Sequence, residues 1–237
     1  MTPQRLQTIK DSLNCRQPDL TVVMENVRKP HNLAAVARTL EAVGGLQIHA
    51  ISNLSSIRLS QMAAGGIRKW ISVRKYPTIE QGLQRLKQQG HRIIATTLNE
   101  TSTDYRDIDY TRPTAILVGE ELEGISGRAI ELADETISIP IVGMVQSLNV
   151  SVASALVLYE AYRQRELAGQ YNRRSLDDAT YTKLLFEACH PEVAKYCREK
   201  SLAYPAINDD GEILEPVADS TTSSNDNFSG WLRKMKL

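Results

Sequence analysis

The chain has 237 residues, 42% of them hydrophobic, which is enough for one sizeable core and a small appendage. Its 28 basic and 28 acidic residues cancel, removing any global electrostatic sign of nucleic-acid binding. Three cysteines (Cys15, Cys189, Cys197) make no disulfide framework and no apolar leader opens the chain, so a reducing cytoplasm is expected.

Residues 1–18 read as one short helix carrying Arg5, Lys10 and Arg16. Extended apolar runs then recur at LTVVME (20–25), LQIHAIS (46–52), WISVRK (70–75), RIIATT (92–97), TAILVG (114–119) and ISIPIV (137–142). Helix-like segments separate most of them: 32–44, 78–90, 126–134 and a long apolar run after Asn149. Strands alternating with helices predict an α/β domain with a parallel sheet buried on both faces. Gly44 and Gly90 stand where helix C-caps belong, and Thr78 where an N-cap belongs. The run Val150 to Leu158 is too short to span a bilayer and is interrupted by Ser151 and Ser154, so no membrane role is expected. Residues 176–201 predict one or two helices broken at Pro191. From about 206 the chain is polar and turn-rich, which predicts little fixed structure; Asn208 to Leu237 holds six of the acids and three of the bases, leaving the body mildly basic.

Ligands of parallel α/β sheets sit at the carboxyl ends of strands. Those ends read ENVRKPHN, TTLNE, GEELEGIS and IPIVGMVQSLN, three of them rich in Gly, Asn, Ser and carboxylate. No GxGxxG follows the first strand and no GxxxxGK[ST] occurs, so neither a dinucleotide site nor a P-loop is supported. The histidines are scattered, and Cys189-His190 with Cys197 lacks zinc spacing, so no metal is expected. Several polar residues have ordinary explanations. Asn32 and Asn149 suit helix N-caps, Glu121 a capping carboxylate, and Arg38 a solvated arginine paired with Glu41. Yet Arg38 lies among Ala34, Ala35 and Ala42, whose small side chains leave room beside a guanidinium. Gly143 would permit a left-handed backbone in the polar loop before the long helix.

Three segments, NVRKPHNLAAVARTLEAVGG (26–45), ILVGEELEGIS (116–126) and IPIVGMVQSLNVSVASALVLYEA (139–161), resemble in order and spacing the three motifs of the SpoU/TrmH branch of the SPOUT methyltransferases. The likeness extends to RQPDLTVVME (16–25), DYTRPT (109–114) and the helical C-terminal part. It implies a parallel-sheet catalytic domain over 19–168 with a C-terminal trefoil knot, helical extensions over 1–18 and 169–205, and an acidic tail over 206–237. It further implies a cytoplasmic homodimer that uses S-adenosylmethionine, without a metal, to methylate the 2′-hydroxyl of the D-loop guanosine at tRNA position 18.

By the same resemblance Asn32, Arg38, Glu121, Ser147 and Asn149 belong to the catalytic pocket, with Glu121 rather than Glu120 or Glu123 facing it. Thr97, Gly119, Ile139, Met144, Ser147 and Leu148 would surround the donor. Arg5, Arg16, His31, Arg163, Arg165, Arg173 and Arg174 would meet tRNA, the arginines as basic surface on the terminal appendages. Few aromatics accompany them, which points to recognition by phosphate and shape. A guanidinium is a poor base, so Arg38 either loses a proton transiently or clamps the alkoxide and phosphate electrostatically. Two other functions fit the motifs less well. Ribosomal-RNA relatives typically carry a separate N-terminal RNA-binding domain, and only about 19 residues precede the first strand. An RNA-binding module without activity would not need the intact Asn32, Arg38, Glu121, Ser147 and Asn149 set.

Overall fold

Among the described residues the β-branched and aliphatic runs, with one two-residue strand, form seven parallel strands: β1 (Leu20–Glu25), β2 (Gln47–Ile51), β3 (Ser72–Tyr76), β4 (Arg92–Thr96), β5 (Thr103–Asp104), β6 (Thr114–Val118) and β7 (Glu135–Ser138). Their order in the sheet is β3-β2-β1-β6-β4-β7-β5. The computed structural model describes residues 1–52, 69–99, 102–120 and 123–214. The chain divides into two units, one comprising residues 14–176 and the other residues 1–13 with those from 177 onward.

In the larger unit every residue of β1 and β6 is buried, as expected of strands covered on both faces. Alternation sorts their side chains. Leu20, Val22 and Met24 join one cluster with Leu33, Val36 and Leu40 of α2 (Pro30–Ala42) and Val157, Leu158 and Ala161 of α5 (Val150–Leu167). Val23, Ala115 and Leu117 join the other with Leu83 and Leu86 of α3 (Ile79–Gln88) and Ala129 of α4 (Gly127–Leu132). Each such Leu or Val stabilises the fold by about 1.5–3 kcal/mol relative to exposure.

The caps of α2 and α3 follow the sequence: Thr78 Oγ1 accepts from Gln81 N–H at 3.3 Å at the start of α3, and Gly44 after α2 and Gly90 after α3 take φ of +89° and +85°. One strand is unexpected, and two boundaries matter for the site. β5 has only two residues, too few for any periodic signal. The sixth predicted strand stops at Ser138, just before Pro140, which has no amide to donate to a ladder. Helix α2 starts at Pro30, whose fixed φ suits the first turn, so Asn32 lies inside the helix and Lys29 is the capping residue.

The smaller unit holds residues 1–13, which include all of α1 (Pro3–Asn14) but its last residue and where Leu6, Ile9 and Leu13 are buried at helical spacing, and the pair α6 (Asp178–Cys189) and α7 (Pro191–Glu199), separated at Pro191 as predicted. Phe186, Val193, Ala194 and Cys197 form its core. Order runs further than the polar composition suggests. Ile207 and Ile213 pack against that core and bridge antiparallel, while Asn208 Oδ1 accepts from the amides of Asp210 at 3.1 Å and Glu212 at 2.8 Å. The remainder of the acidic tail lies outside the described residues. Among those described, no helix is long and apolar enough to cross a membrane.

Candidate active site

At the carboxyl ends of three neighbouring strands, β6, β4 and β7, lies a cavity of about 470 Å³. Its floor is Val118 and Gly119 from β6, Thr96 to Leu98 from β4, and Ile137 to Ile139 from β7. Gln146, Ser147, Leu148 and the first turn of α5 close one side; Glu120 and Glu123 to Ile125 close another. Aliphatic walls with a few hydroxyls, an amide and two carboxylates suit a nucleoside-sized ligand bearing positive charge. Thr97, Gly119, Ile139, Ser147 and Leu148 all line it, whereas Met144 is 101% exposed and off the lining. Gln146, Ile141 and Ala153 also line it. So do Glu120 and Glu123; Glu121 lies outside the described residues.

The loop after β6 explains the glycine at its start. Glu120 N–H donates to Gly124 O at 3.0 Å and Gly124 N–H to Glu120 O at 2.8 Å, so the chain folds back on itself. A Cβ on Gly119 would lie 2.0 Å from Gly124 O and 2.4 Å from Ile125 N, backbone atoms that cannot rotate away. A side chain therefore cannot fit at Gly119, whereas the left-handed backbone that Gly143 would permit is not taken up. At Gly143 the φ is not positive and a Cβ would meet nothing within 4 Å.

Asn32 and Asn149 link α2 to the start of α5. Asn149 Oδ1 accepts from Ser151 N–H at 2.9 Å, capping α5, while its Nδ2 donates to Asn32 Oδ1 at 3.3 Å. Asn32 is 2% exposed and Asn149 is exposed, so this amide contact is half-buried. The cap and the inter-motif contact are thus one side chain. The expected Arg38–Glu41 pair is absent because Glu41 Oε1 accepts from Arg16 Nη2 at 2.9 Å. Arg38 is exposed and has no ion-pair partner among the described residues.

The basic residues divide into two groups. Arg5, His31, Arg163, Arg173 and Arg174 are exposed, with Arg163 held by Glu160 at 2.7 Å. Arg16 and Arg165 are not surface groups, a correction to their expected contact with RNA. Arg165 is 0% exposed, because it continues the buried stripe Ser154, Leu158, Ala161 of α5. Its guanidinium donates to Tyr110 O at 2.9 Å, Gln17 Oε1 at 2.9 Å, Asp19 Oδ1 at 2.5 Å and Arg112 O at 3.1 Å, locking the end of α5 to the amino ends of β1 and β6. Arg16 is 1% exposed, pairs with Glu41 and lies over the Trp70 ring at 5.3 Å. His49 is likewise structural: burial above all, then the charges of His91 and Arg74, push its imidazole down to about 4, and it bonds Tyr76 Oη at 3.1 Å. No cluster of three metal-ligating side chains exists among the described residues.

Comparison with known proteins agrees with this architecture. Residues 19–159 match the model of the SpoU rRNA Methylase family, and 163–216 match that of the SpoU rRNA methylase C-terminal region. The tRNA (guanosine(18)-2′-O)-methyltransferase of Escherichia coli is 50% identical over 215 residues, covering 90% of this chain and 94% of that protein. The protein of the same name from Thermus thermophilus is 48% identical over 184 residues, 78% of this chain and 95% of its own. Among solved structures, the A. aeolicus TrmH/SpoU tRNA modifying enzyme superposes with a TM-score of 0.72 at 40% identity, covering 80% of this chain and 97% of that one. The SpoU methyltransferase AviRb from Streptomyces viridochromogenes, solved in complex with the cofactor AdoMet, gives 0.57 at 26% identity over 66% of this chain and 61% of its own. The chain is a member of the SpoU methylase family.

Proposed function

We infer that this protein methylates the 2′-hydroxyl of guanosine 18 in tRNA, with S-adenosylmethionine as donor. The observation that carries the reading is the identity of 48–50% across most of the chain to two enzymes named for that reaction. The cavity supports the donor. Its aliphatic walls suit an adenine, its hydroxyls and backbone amides suit a ribose, and Glu120 and Glu123 present negative charge. Thr97, Gly119, Ile139, Ser147 and Leu148 would hold it. Bound there, S-adenosylmethionine supplies an electrophilic methyl group on a cationic sulfur.

The remaining work falls to the chain's own side chains. Asn149, fixed at once to α5 and to Asn32, gives the pocket a rigid edge. Arg38 keeps its guanidinium available, and its chemistry favours an electrostatic role: stabilising charge on the ribose oxygen and orienting the adjacent phosphate. Exposed Arg5, Arg163, Arg173 and Arg174 would meet further phosphates. The reading includes a knotted path for the segment after β7, action in the cytoplasm, and a homodimer. Val142, Met144, Val145, Val152, Leu156 and Tyr159 are exposed apolar side chains that a second copy would cover, so light scattering should give twice the chain mass.

The test is methyl transfer from labelled S-adenosylmethionine to total tRNA, followed by mapping of the labelled ribose. Label at guanosine 18, lost when that base is replaced, is the expected result. Label only in ribosomal RNA, the substrate in the family's name, would refute it.

A further inference from the structure

We propose that Glu25 is a positioning residue of this site: its carboxylate pins Ser126 and so holds Glu123, Gly124 and Ile125 against the cavity. Glu25 ends β1 and is only 5% exposed. Burying a carboxylate is costly unless hydrogen bonds satisfy it. Both oxygens are directed at one residue far along the chain. Ser126 Oγ–H donates to Oε1 at 2.8 Å and Ser126 N–H donates to Oε2 at 2.8 Å. The Ser126 hydroxyl in turn accepts from Ala129 N–H at 3.1 Å, capping α4. This arrangement needs two acceptors at the end of a three-carbon reach, which only a glutamate offers; glutamine would turn an N–H₂ toward one of the donors.

The pin lies where it can set the pocket's shape. The loop it anchors supplies Glu120, Glu123, Gly124 and Ile125 to the lining, and its near end is already closed by the two Glu120–Gly124 backbone bonds. Ile125, one residue before the pin, is buried beside Leu117 and Ala129. On the other side of Glu25 the chain turns through Asn26, with φ +53°, toward Pro30 and Asn32. One carboxylate thus fixes the donor-side loop relative to the start of the segment that carries Asn32. The inference rests on the donor reading above.

Glu25→Gln and Ser126→Ala test it, the second removing the hydroxyl that donates to Glu25 and caps α4, and deciding the matter alone if the first does not fold. Three quantities are measured on the full chain: calorimetric affinity for S-adenosylhomocysteine, kcat and KM for tRNA, and hydrogen exchange at the Gly124 and Ser126 amides. We expect unchanged circular dichroism, faster exchange at both amides, an affinity loss of tenfold or more, and a tRNA KM within threefold of the unaltered protein. Glu25→Asp, one methylene short, should not restore affinity. A role confined to stability would lower Tm while leaving affinity and kcat unchanged in the folded variants, and that result overturns the proposal. Failure of the unaltered protein to bind S-adenosylhomocysteine would instead overturn the donor reading, and this inference with it.

Discussion

Gly119→Ala should cripple donor binding while Gly143→Ala should not. The added methyl at 119 would stand 2.0 Å from Gly124 O, where ordinary contact begins near 3.4 Å, so the loop must retreat by about 1.4 Å. A shift of that size breaks the reciprocal Glu120–Gly124 backbone hydrogen bonds, each worth about 1 kcal/mol net. Restoring the lining on binding then costs about 2 kcal/mol, or roughly a 30-fold rise in Kd. At Gly143 a Cβ meets nothing and the backbone is already in an ordinary region, so the affinity change should stay under about twofold. Titration calorimetry with S-adenosylhomocysteine reads both variants directly, and circular dichroism confirms that each is folded. Equal affinities for the two variants, or a larger loss at 143, would show that the approach of Gly124 to Gly119 does not shape the donor cavity.

Replacing Arg38 with Ala should lower single-turnover methyl transfer by roughly 10²-fold or more with donor affinity little changed, and Lys should not restore it; near-normal turnover would remove Arg38 from the site. Arg165→Ala strands Asp19 and several carbonyl acceptors, so it should destabilise the protein by about 3–5 kcal/mol and lower Tm by roughly 10 °C, read by calorimetry, without the salt signature of a phosphate contact. By contrast, Arg173→Ala with Arg174→Ala should leave Tm in place and flatten the log–log salt dependence of tRNA binding by about 0.7–0.9 for each phosphate no longer neutralised. His49 binds a proton more weakly folded than unfolded. Its contribution is therefore present above the ordinary histidine value of 6.5 and is lost as pH falls from there toward about 4, by about 3 kcal/mol in all. Urea unfolding at several pH values should show this loss, and His49→Gln should flatten it.

The parallel sheet, the helices and the polar carboxyl ends of the strands were legible because period-2 and period-3.6 patterns and Gly or Pro punctuation are local properties. Two-residue β5 is not, since its pairing with β7 is tertiary. Arg165 shows a different limit. Its place on the buried stripe could have been read from the spacing of Ser154, Leu158 and Ala161, but its charge argued for the surface more loudly than its position argued for the core. The steric need for glycine at Gly119 was not readable at all: whether a glycine is required depends on which backbone returns to it, and Gly124 does so only in the folded loop. The same holds for Glu25, whose partner is 101 residues away.

The strand order also dictates when the sheet can form. β4 has only β6 and β7 as neighbours, and β1 receives its second neighbour only when β6 arrives. A nascent chain ending at residue 99 can assemble β1, β2 and β3, but presents the apolar edge of β1 unpaired and leaves β4 with nowhere to dock. At 5–20 residues per second the ribosome takes roughly 1–4 s to move from the end of β4 to the end of β6, an interval in which that edge needs protection. Refolding from denaturant meets the same long loop closure without vectorial help and should be slow and concentration-sensitive. Truncations that stop short of Val118 should aggregate rather than yield a smaller soluble domain.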